Sequence, residues 1–186
     1  MILVDFFDND LRNTLVPIKT MKPEKVYFLL DNTKEEDPCI RSMAEAVYAW
    51  GDVREIYYYP VNVSDYGDIN ERLAEIFDSI SGCEVFMEFS GGNELMIAAG
   101  YELCRKGMAM PLFMDKKNNK MVNASTGESI CNLCHITLED YLCAIGAECV
   151  EHSRYVPSQK EEECVEKMAQ VVCANTGQWH AIQDYV

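Results

Sequence analysis

A tight glycine turn between a predicted strand and a predicted helix is the segment of this chain best suited to bind a ligand. An apolar run over residues 85–89 leads into Ser90-Gly91-Gly92-Asn93, and helical spacing follows over residues 93–106. Adjacent glycines let the backbone turn sharply and let a ligand approach without meeting a Cβ atom. Unpaired N–H groups at a helix start favour an anion, and Ser90 and Asn93 could cap the helix or donate to that anion. The other interpretation is a plain helix start with two turn glycines.

The elements around this turn alternate between strand and helix. Strands are predicted over residues 2–6, 25–30, 53–59 and 85–89, and helices over residues 11–19, 36–50, 69–80 and 93–106. Pro60 is expected to end the third strand, and Ser64 or Asp65 to cap the third helix. Four strand–helix units with right-handed crossovers predict an α/β fold: a Rossmann-like, doubly wound, mostly parallel sheet.

The pattern changes after Gly107. Residues 110–114 and 120–123 predict a β-hairpin, and residues 138–145 a short helix. Helical spacing over residues 157–174 predicts a terminal helix, with Trp179 beyond it. We therefore expect a Rossmann-like domain over residues 1–150 and a C-terminal helical connector or extension over residues 151–186.

Ligands of such sheets bind beyond the carboxyl ends of the strands. Three predicted segments should lie there: residues 5–10, residues 31–33 and residues 90–93. The classical G-x-G-x-x-G fingerprint is absent after the first strand, which argues against an NAD-dependent dehydrogenase. We predict no cofactor.

Composition and charge exclude further classes of function. The 186 residues carry a formal net charge of −15, and non-specific binding of long nucleic acid needs a basic surface instead. No stretch approaches the ~18 apolar residues of a membrane span, and the acidic start is unlike a signal peptide. We expect a cytoplasmic protein without a membrane partner, whose nine cysteines are reduced thiols.

Two other motifs suggest chemistry that their context does not favour. Cys131-Asn132-Leu133-Cys134-His135 matches the C-x-x-C-H pattern of haem attachment, but no export signal accompanies it, and the remaining cysteines are poorly spaced for zinc. Coincidence or core thiols fit that segment better, so we predict no metal. Glu88 followed by Asp115-Lys116-Lys117 resembles the acid pattern of metal-dependent nucleases, but Asp115 fits the start of a hairpin turn.

A nucleophilic hydrolase is also disfavoured. The three histidines, His135, His152 and His180, lie outside the loops expected to form the site, so a Ser/His/Asp triad lacks its base there. Ser90 does not stand in a G-x-S-x-G motif. We predict no catalytic residue.

Five segments together resemble the N-terminal half of the Can/Card family of CRISPR accessory nucleases, a CRISPR-associated Rossmann fold (CARF) domain. They are Val4-Asp5-Phe6-Phe7, Leu11-Arg12-Asn13, residues 22–31, residues 89–96, and residues 136–142 with Gly146. The resemblance spans roughly residues 2–150, and the order and spacing of the segments carry more weight than any one of them.

The resemblance implies a homodimer that binds a cyclic oligoadenylate, the second messenger of type III CRISPR defence, across its two-fold axis. Carried over by position, the phosphate and ribose turn is Ser90, Gly91, Gly92 and Asn93, the first loop presents Asn9 and Asp10, and the second presents Asp31, Asn32 and Thr33.

Two departures from the family pattern stand out. Asn93-Glu94 replaces the common Thr-Lys pair, so Arg12 or Lys116 would have to supply the missing positive charge, or the ligand differs. The 186 residues do not contain the family's C-terminal nuclease domain, which is compatible with a stand-alone sensor and with a fragment of a longer chain.

We accordingly predict a ligand-sensing domain. The alternatives left open are a slow ring nuclease that cleaves the bound cyclic oligoadenylate, a fragment of a metal-dependent nuclease without its catalytic domain, and an interaction domain with no small ligand.

Overall fold

The computed structural model describes residues 1–8, 10–80, 82–147 and 160. The strands are β1 (Ile2–Phe6), β2 (Lys25–Asp31), β3 (Glu55–Val61), β4 (Val85–Glu88), β5 (Met110–Asp115), β6 (Lys120–Asn123) and β7 (Ser129–Asn132). The helices are α1 (Arg12–Met21), α2 (Pro38–Ala49), α3 (Tyr66–Ser79), α4 (Glu94–Arg105) and α5 (Leu138–Ala144). The predicted terminal helix, Trp179 and the predicted boundary near residue 150 lie outside the described residues.

The strands form one sheet in the order β3-β2-β1-β4-β5-β6-β7. The first five are parallel, and β5, β6 and β7 pair antiparallel. The predicted α/β doubly wound fold is confirmed, including the hairpin of β5 and β6.

A separate apolar core lies on each face of the sheet. Leu3, Phe28 and the inner faces of α1 and α2 build one of them, and Val4, Leu29 and the inner faces of α3 and α4 build the other. The continuous apolar run of β2 follows from this arrangement, because a central parallel strand is covered on both sides.

Two features of the sheet differ from the sequence prediction. Pro60 does not end β3 but lies inside it, paired with Leu30 of β2. β3 is an edge strand, so a residue without an N–H group is tolerated on its open side. The strand β7 was not predicted, because four residues of mixed polarity carry no clear alternation.

Asp140 in the first turn of α5 ties three helices together. Its carboxylate accepts hydrogen bonds from Lys19 of α1 and from the indole N–H of Trp50 at the end of α2. It also closes a capping box with Thr137. Burial alone would raise the pKa of Asp140, but these donors outweigh burial and hold the pKa well below its usual range.

Among the described residues, none of the helices combines the length and apolar character that crossing a bilayer requires.

Candidate functional site

The strand order creates a crevice between the loops that follow β1 and β4. The chain runs outward from β1 through β2 to β3 and then returns to place β4 on the other side of β1. Adjacent parallel strands whose connections leave in opposite directions form a topological switch point, where open α/β sheets bind their ligands. The loop after β1 and the turn over residues 90–93 therefore flank the site, as the sequence predicts.

The side chains of the turn are engaged in holding it. Asn93 caps α4, since its Oδ1 accepts from the amide of Met96 at 2.9 Å and its Nδ2 donates to the Val63 carbonyl at 2.7 Å. The Ser90 hydroxyl accepts from the amide of Met114 on β5 at 2.8 Å. The predicted cap is confirmed for Asn93, whereas Ser90 fixes the turn to the neighbouring strand.

The two glycines are required by contact with β1. A Cβ atom at Gly91 would lie 2.6 Å from the carbonyl oxygen of Phe6. A Cβ atom at Gly92 would lie 2.6 Å from the Phe6 Cβ, and Gly92 also adopts a φ of +79°. Protein packing thus explains both glycines. A substitution of either would destabilise the fold, so its effect on ligand binding could not be interpreted by itself.

The amide groups of the turn divide into two pairs. The Ser90 amide donates to the Glu88 carboxylate at 2.8 Å, and the Gly91 amide also interacts with that carboxylate. Within the described part of the chain, no group accepts a hydrogen bond from the amides of Gly92 and Asn93. Only this second pair, at the N-terminus of α4, is free to receive an anion.

Two cations stand at the crevice. Lys116, in the loop after β5, donates to Asn13 Oδ1 at 2.7 Å, and Asn13 Nδ2 donates to Asp8 at 2.8 Å. A Cβ at Gly91 would lie within 4 Å of both Asp8 and Asn13, so this chain of contacts borders the turn. From the sequence, Lys116 was proposed only as one of two sources of the positive charge that the family pattern has in this turn. Its contact with Asn13 was not predicted.

Arg12 lies nearby but is held by the first loop. Its guanidinium donates twice to Asp10, with both distances 2.9 Å. These hydrogen bonds are the main reason that the pKa of Asp10 is lowered. Asn9, the other residue predicted in this loop, lies outside the described residues.

The second predicted loop forms a closed turn beside a different cavity. Asp31 Oδ1 accepts from the amide and the hydroxyl of Thr33, which lowers the pKa of Asp31 and caps the short turn Asn32–Lys34. A cavity of about 670 Å³ opens here between Leu30, Tyr58 and the start of α2. Its rim carries three carboxylates and one guanidinium: Glu35, Glu36, Asp37 and Arg41. The net negative charge of this rim disfavours an anion, so the crevice is the better candidate for an anion site.

Two acids that the sequence did not indicate as a pair lie inside the sheet beneath the crevice. Asp5 of β1 and Glu88 of β4 are direct register partners, and both are fully buried. Burial, followed by the neighbouring Glu88 carboxyl, raises the pKa of Asp5. Burial also raises the pKa of Glu88, although hydrogen bonds from Ser90 oppose it. The available signal was one acid within each of two otherwise apolar strands.

Among the described residues, there is no group of three or more His, Cys, Asp or Glu side chains placed to hold a metal ion. Asp115 accepts from the backbone and side chain of Asn118, as expected for the start of a hairpin turn. Cys131 lies on β7, and the Cys134 amide donates to Thr20 at 2.9 Å.

Comparison with known proteins adds solved structures but no sequence family. No protein-family model and no curated protein matches the chain. The structure is similar to Can2 from Sulfobacillus thermosulfidooxidans in complex with cyclic tetra-adenylate, with a TM-score of 0.64 and 21% identity, covering 77% of this chain and 39% of Can2. It is also similar to protein VC1899 from Vibrio cholerae, with a TM-score of 0.64 and 16% identity, covering 77% and 38% of the two chains.

A third neighbour is Enterococcus italicus Csm6 bound to cyclic hexa-2'-fluoro-hexa-dAMP. The TM-score is 0.52 at 12% identity, and the match covers 98% of this chain and 47% of Csm6. The chain thus spans less than half the length of each neighbour. The resemblance to a CARF domain that the sequence motifs indicated is confirmed at the level of the fold.

Proposed function

We propose that this chain is a sensor domain that binds a cyclic oligoadenylate at its switch-point crevice. The observation that carries the proposal is the free amide pair of Gly92 and Asn93 at the start of α4, in a turn that Lys116 borders through Asn13. Backbone donors and a helix N-terminus suit a phosphodiester, and an ammonium group adds a charge-assisted hydrogen bond.

Local positive charge matters because the whole chain is strongly acidic. With a net charge of −15, its overall field repels an anion. Lys116 and the N-terminus of α4 supply local positive charge at one edge of the sheet, where Arg12 is paired with Asp10. Glu94 works against them in the first turn of α4, so Lys116 takes the role of the cation that the family pattern places at that position.

A second copy of the chain completes the proposed site. A cyclic oligoadenylate with an even number of nucleotides can itself have two-fold symmetry, which suits an isologous dimer. Each crevice would then hold one half of the ring. Two structural neighbours were solved with such rings, Can2 with cyclic tetra-adenylate and Csm6 with a cyclic hexanucleotide, which supports this ligand class for the fold.

A panel of nucleotides tests the proposal. At a ligand concentration of about 100 times Kd, binding to the folded state adds about 2.7 kcal/mol of stability. For a chain of this size, that corresponds to a rise in Tm of roughly 5–10 °C. We expect this rise with cyclic tetra-adenylate or cyclic hexa-adenylate, and no rise with NAD or linear adenylates. A flat response to every cyclic ring would contradict the proposal and favour an interaction domain.

The same samples separate binding from cleavage. After incubation, the ligand is recovered and chromatographed. An intact ring supports a binding domain, whereas linear products that end in a cyclic phosphate would favour the ring-nuclease alternative.

A further inference from the structure

We propose that Glu88, opposed by Asp5, is a positioning residue that holds the first two amides of the turn and takes up a proton when a phosphate binds. This inference rests on the proposed function, because it names how the same crevice responds to its ligand.

The geometry of the pair comes first. Asp5 and Glu88 face each other across two central strands that lie about 4.8 Å apart, as neighbouring strands do. Both side chains are fully buried. Both Asp5 oxygens and Glu88 Oε1 lack a well-formed hydrogen bond among the described residues, although the Thr14 hydroxyl interacts with Asp5. Glu88 Oε2 accepts from the Ser90 amide at 2.8 Å, and the Gly91 amide also interacts with the Glu88 carboxylate. Two carboxylates so close and so poorly solvated cannot both be ionised at neutral pH.

The charged and polar groups around the pair determine how many protons the two carboxyl groups bind. From the loop after β1, Asp8 adds negative charge near Asp5, and from the loop after β5, Lys116 adds positive charge near Glu88. The helix α1 presents the buried Thr14 hydroxyl, whose interaction with Asp5 favours the ionised carboxylate and opposes the effect of burial on its pKa. Burial raises the pKa of Glu88 to about 7, so its protonation is sensitive to added charge near neutral pH.

The turn transmits the ligand's charge to this pair. Glu88 reaches the turn directly, since its carboxylate accepts from Ser90 two residues later. A phosphate on the amides of Gly92 and Asn93 would place a new negative charge close to the buried carboxyls. Like charges favour the protonated form, so the pair holds more protons in the complex than in the free protein.

The sign of the pH dependence follows. A complex that binds extra protons is stabilised as the pH falls, until the free protein is itself fully protonated. A phosphodiester keeps its single charge over this range, so the protein carries the titration. We expect uptake of about half a proton per crevice, which lowers the affinity roughly fivefold for each crevice that the ring occupies between about pH 6 and about pH 8.

Calorimetry measures the proton directly. Cyclic tetra-adenylate and cyclic hexa-adenylate are titrated into the wild-type chain in buffers of different ionisation enthalpy, and the dependence of the heat on the buffer gives the number of protons taken up. Glu88→Gln keeps an acceptor for the Ser90 amide but removes the titrating group. Glu84→Gln, at an exposed acid just before β4, is the matched control.

The inference is supported if wild type and Glu84→Gln take up a proton and Glu88→Gln binds without doing so. Binding by wild type with no uptake, or uptake that persists in Glu88→Gln, overturns this inference alone. No binding of either ring by wild type at any pH overturns the proposed function and this inference with it. Because the wild-type measurement needs no variant, the result stands even if Glu88→Gln does not fold.

Discussion

Replacing Lys116 with glutamate is expected to weaken binding of a cyclic oligoadenylate by about 100-fold, which corresponds to about 2.7 kcal/mol. The substitution removes a charge-assisted hydrogen bond to phosphate and puts a repelling charge in its place. It also breaks the contact that Lys116 makes with Asn13 at 2.7 Å. Isothermal titration calorimetry with the ring that binds wild type most tightly measures the effect.

Lys106→Glu provides the control for this experiment. Lys106 is exposed at the C-terminal end of α4, roughly 18 Å along the helix from the turn, so its replacement makes the same change in net charge away from the crevice. We expect its affinity to stay within about threefold of wild type, because exposed charges are screened over roughly 8–10 Å. Equal losses in the two variants would mean that only overall charge matters, and would remove Lys116 from the site.

A methyl group at Gly91 is expected to destabilise the protein by about 3 kcal/mol. The added Cβ would lie 2.6 Å from the Phe6 carbonyl oxygen, a backbone atom of a central strand that cannot move aside easily. Overpacking of this kind typically costs about 1–3 kcal/mol, and a backbone obstacle puts Gly91→Ala at the upper end. Urea denaturation at neutral pH measures the free energy of unfolding.

Gly107→Ala separates crowding from backbone strain. Gly107 has a φ of +77°, and a Cβ there would have no atom within 4 Å. Its replacement therefore reports strain alone, for which we expect a loss of about 1 kcal/mol. If Gly91→Ala unfolded at the wild-type urea concentration, the close packing of the turn against β1 would be incorrect.

The fold was largely predictable because its signals are local. The predicted first strand coincides with β1, and the other three predicted parallel strands differ from β2, β3 and β4 by at most two residues at each end. Apolar runs that alternate with helical segments indicate the order of strands and helices along the chain. Right-handed crossovers then leave few possible arrangements of the strands in the sheet. The place of Pro60 inside β3 and the existence of β7 were not predicted, because both depend on the position of a strand in the sheet. An edge strand tolerates proline, and β7 is defined by its pairing with β6.

The site was predictable only in outline. The glycine turn was found, but its cause was not, because the close contact with Phe6 depends on two strands far apart in sequence. Asp5 and Glu88 each look like a single acid in an apolar strand, and only the register of β1 and β4 makes them a pair. Because the Glu88 carboxylate engages the Ser90 and Gly91 amides, only half of the four predicted donors stay free. The ligand contacts assigned to Asn9, Asp10, Asp31, Asn32, Thr33 and residues 90–93 all stay predictions.

The most direct test is a titration of the labelled protein with cyclic tetra-adenylate or cyclic hexa-adenylate, followed by amide chemical shifts. The account predicts that the amide protons of Gly92 and Asn93 move furthest, in the direction of stronger hydrogen bonding, and exchange more slowly with solvent. Shifts that left these two amides unchanged and clustered instead around Leu30, Arg41 and Tyr58 would place the ligand in the other cavity and contradict the account.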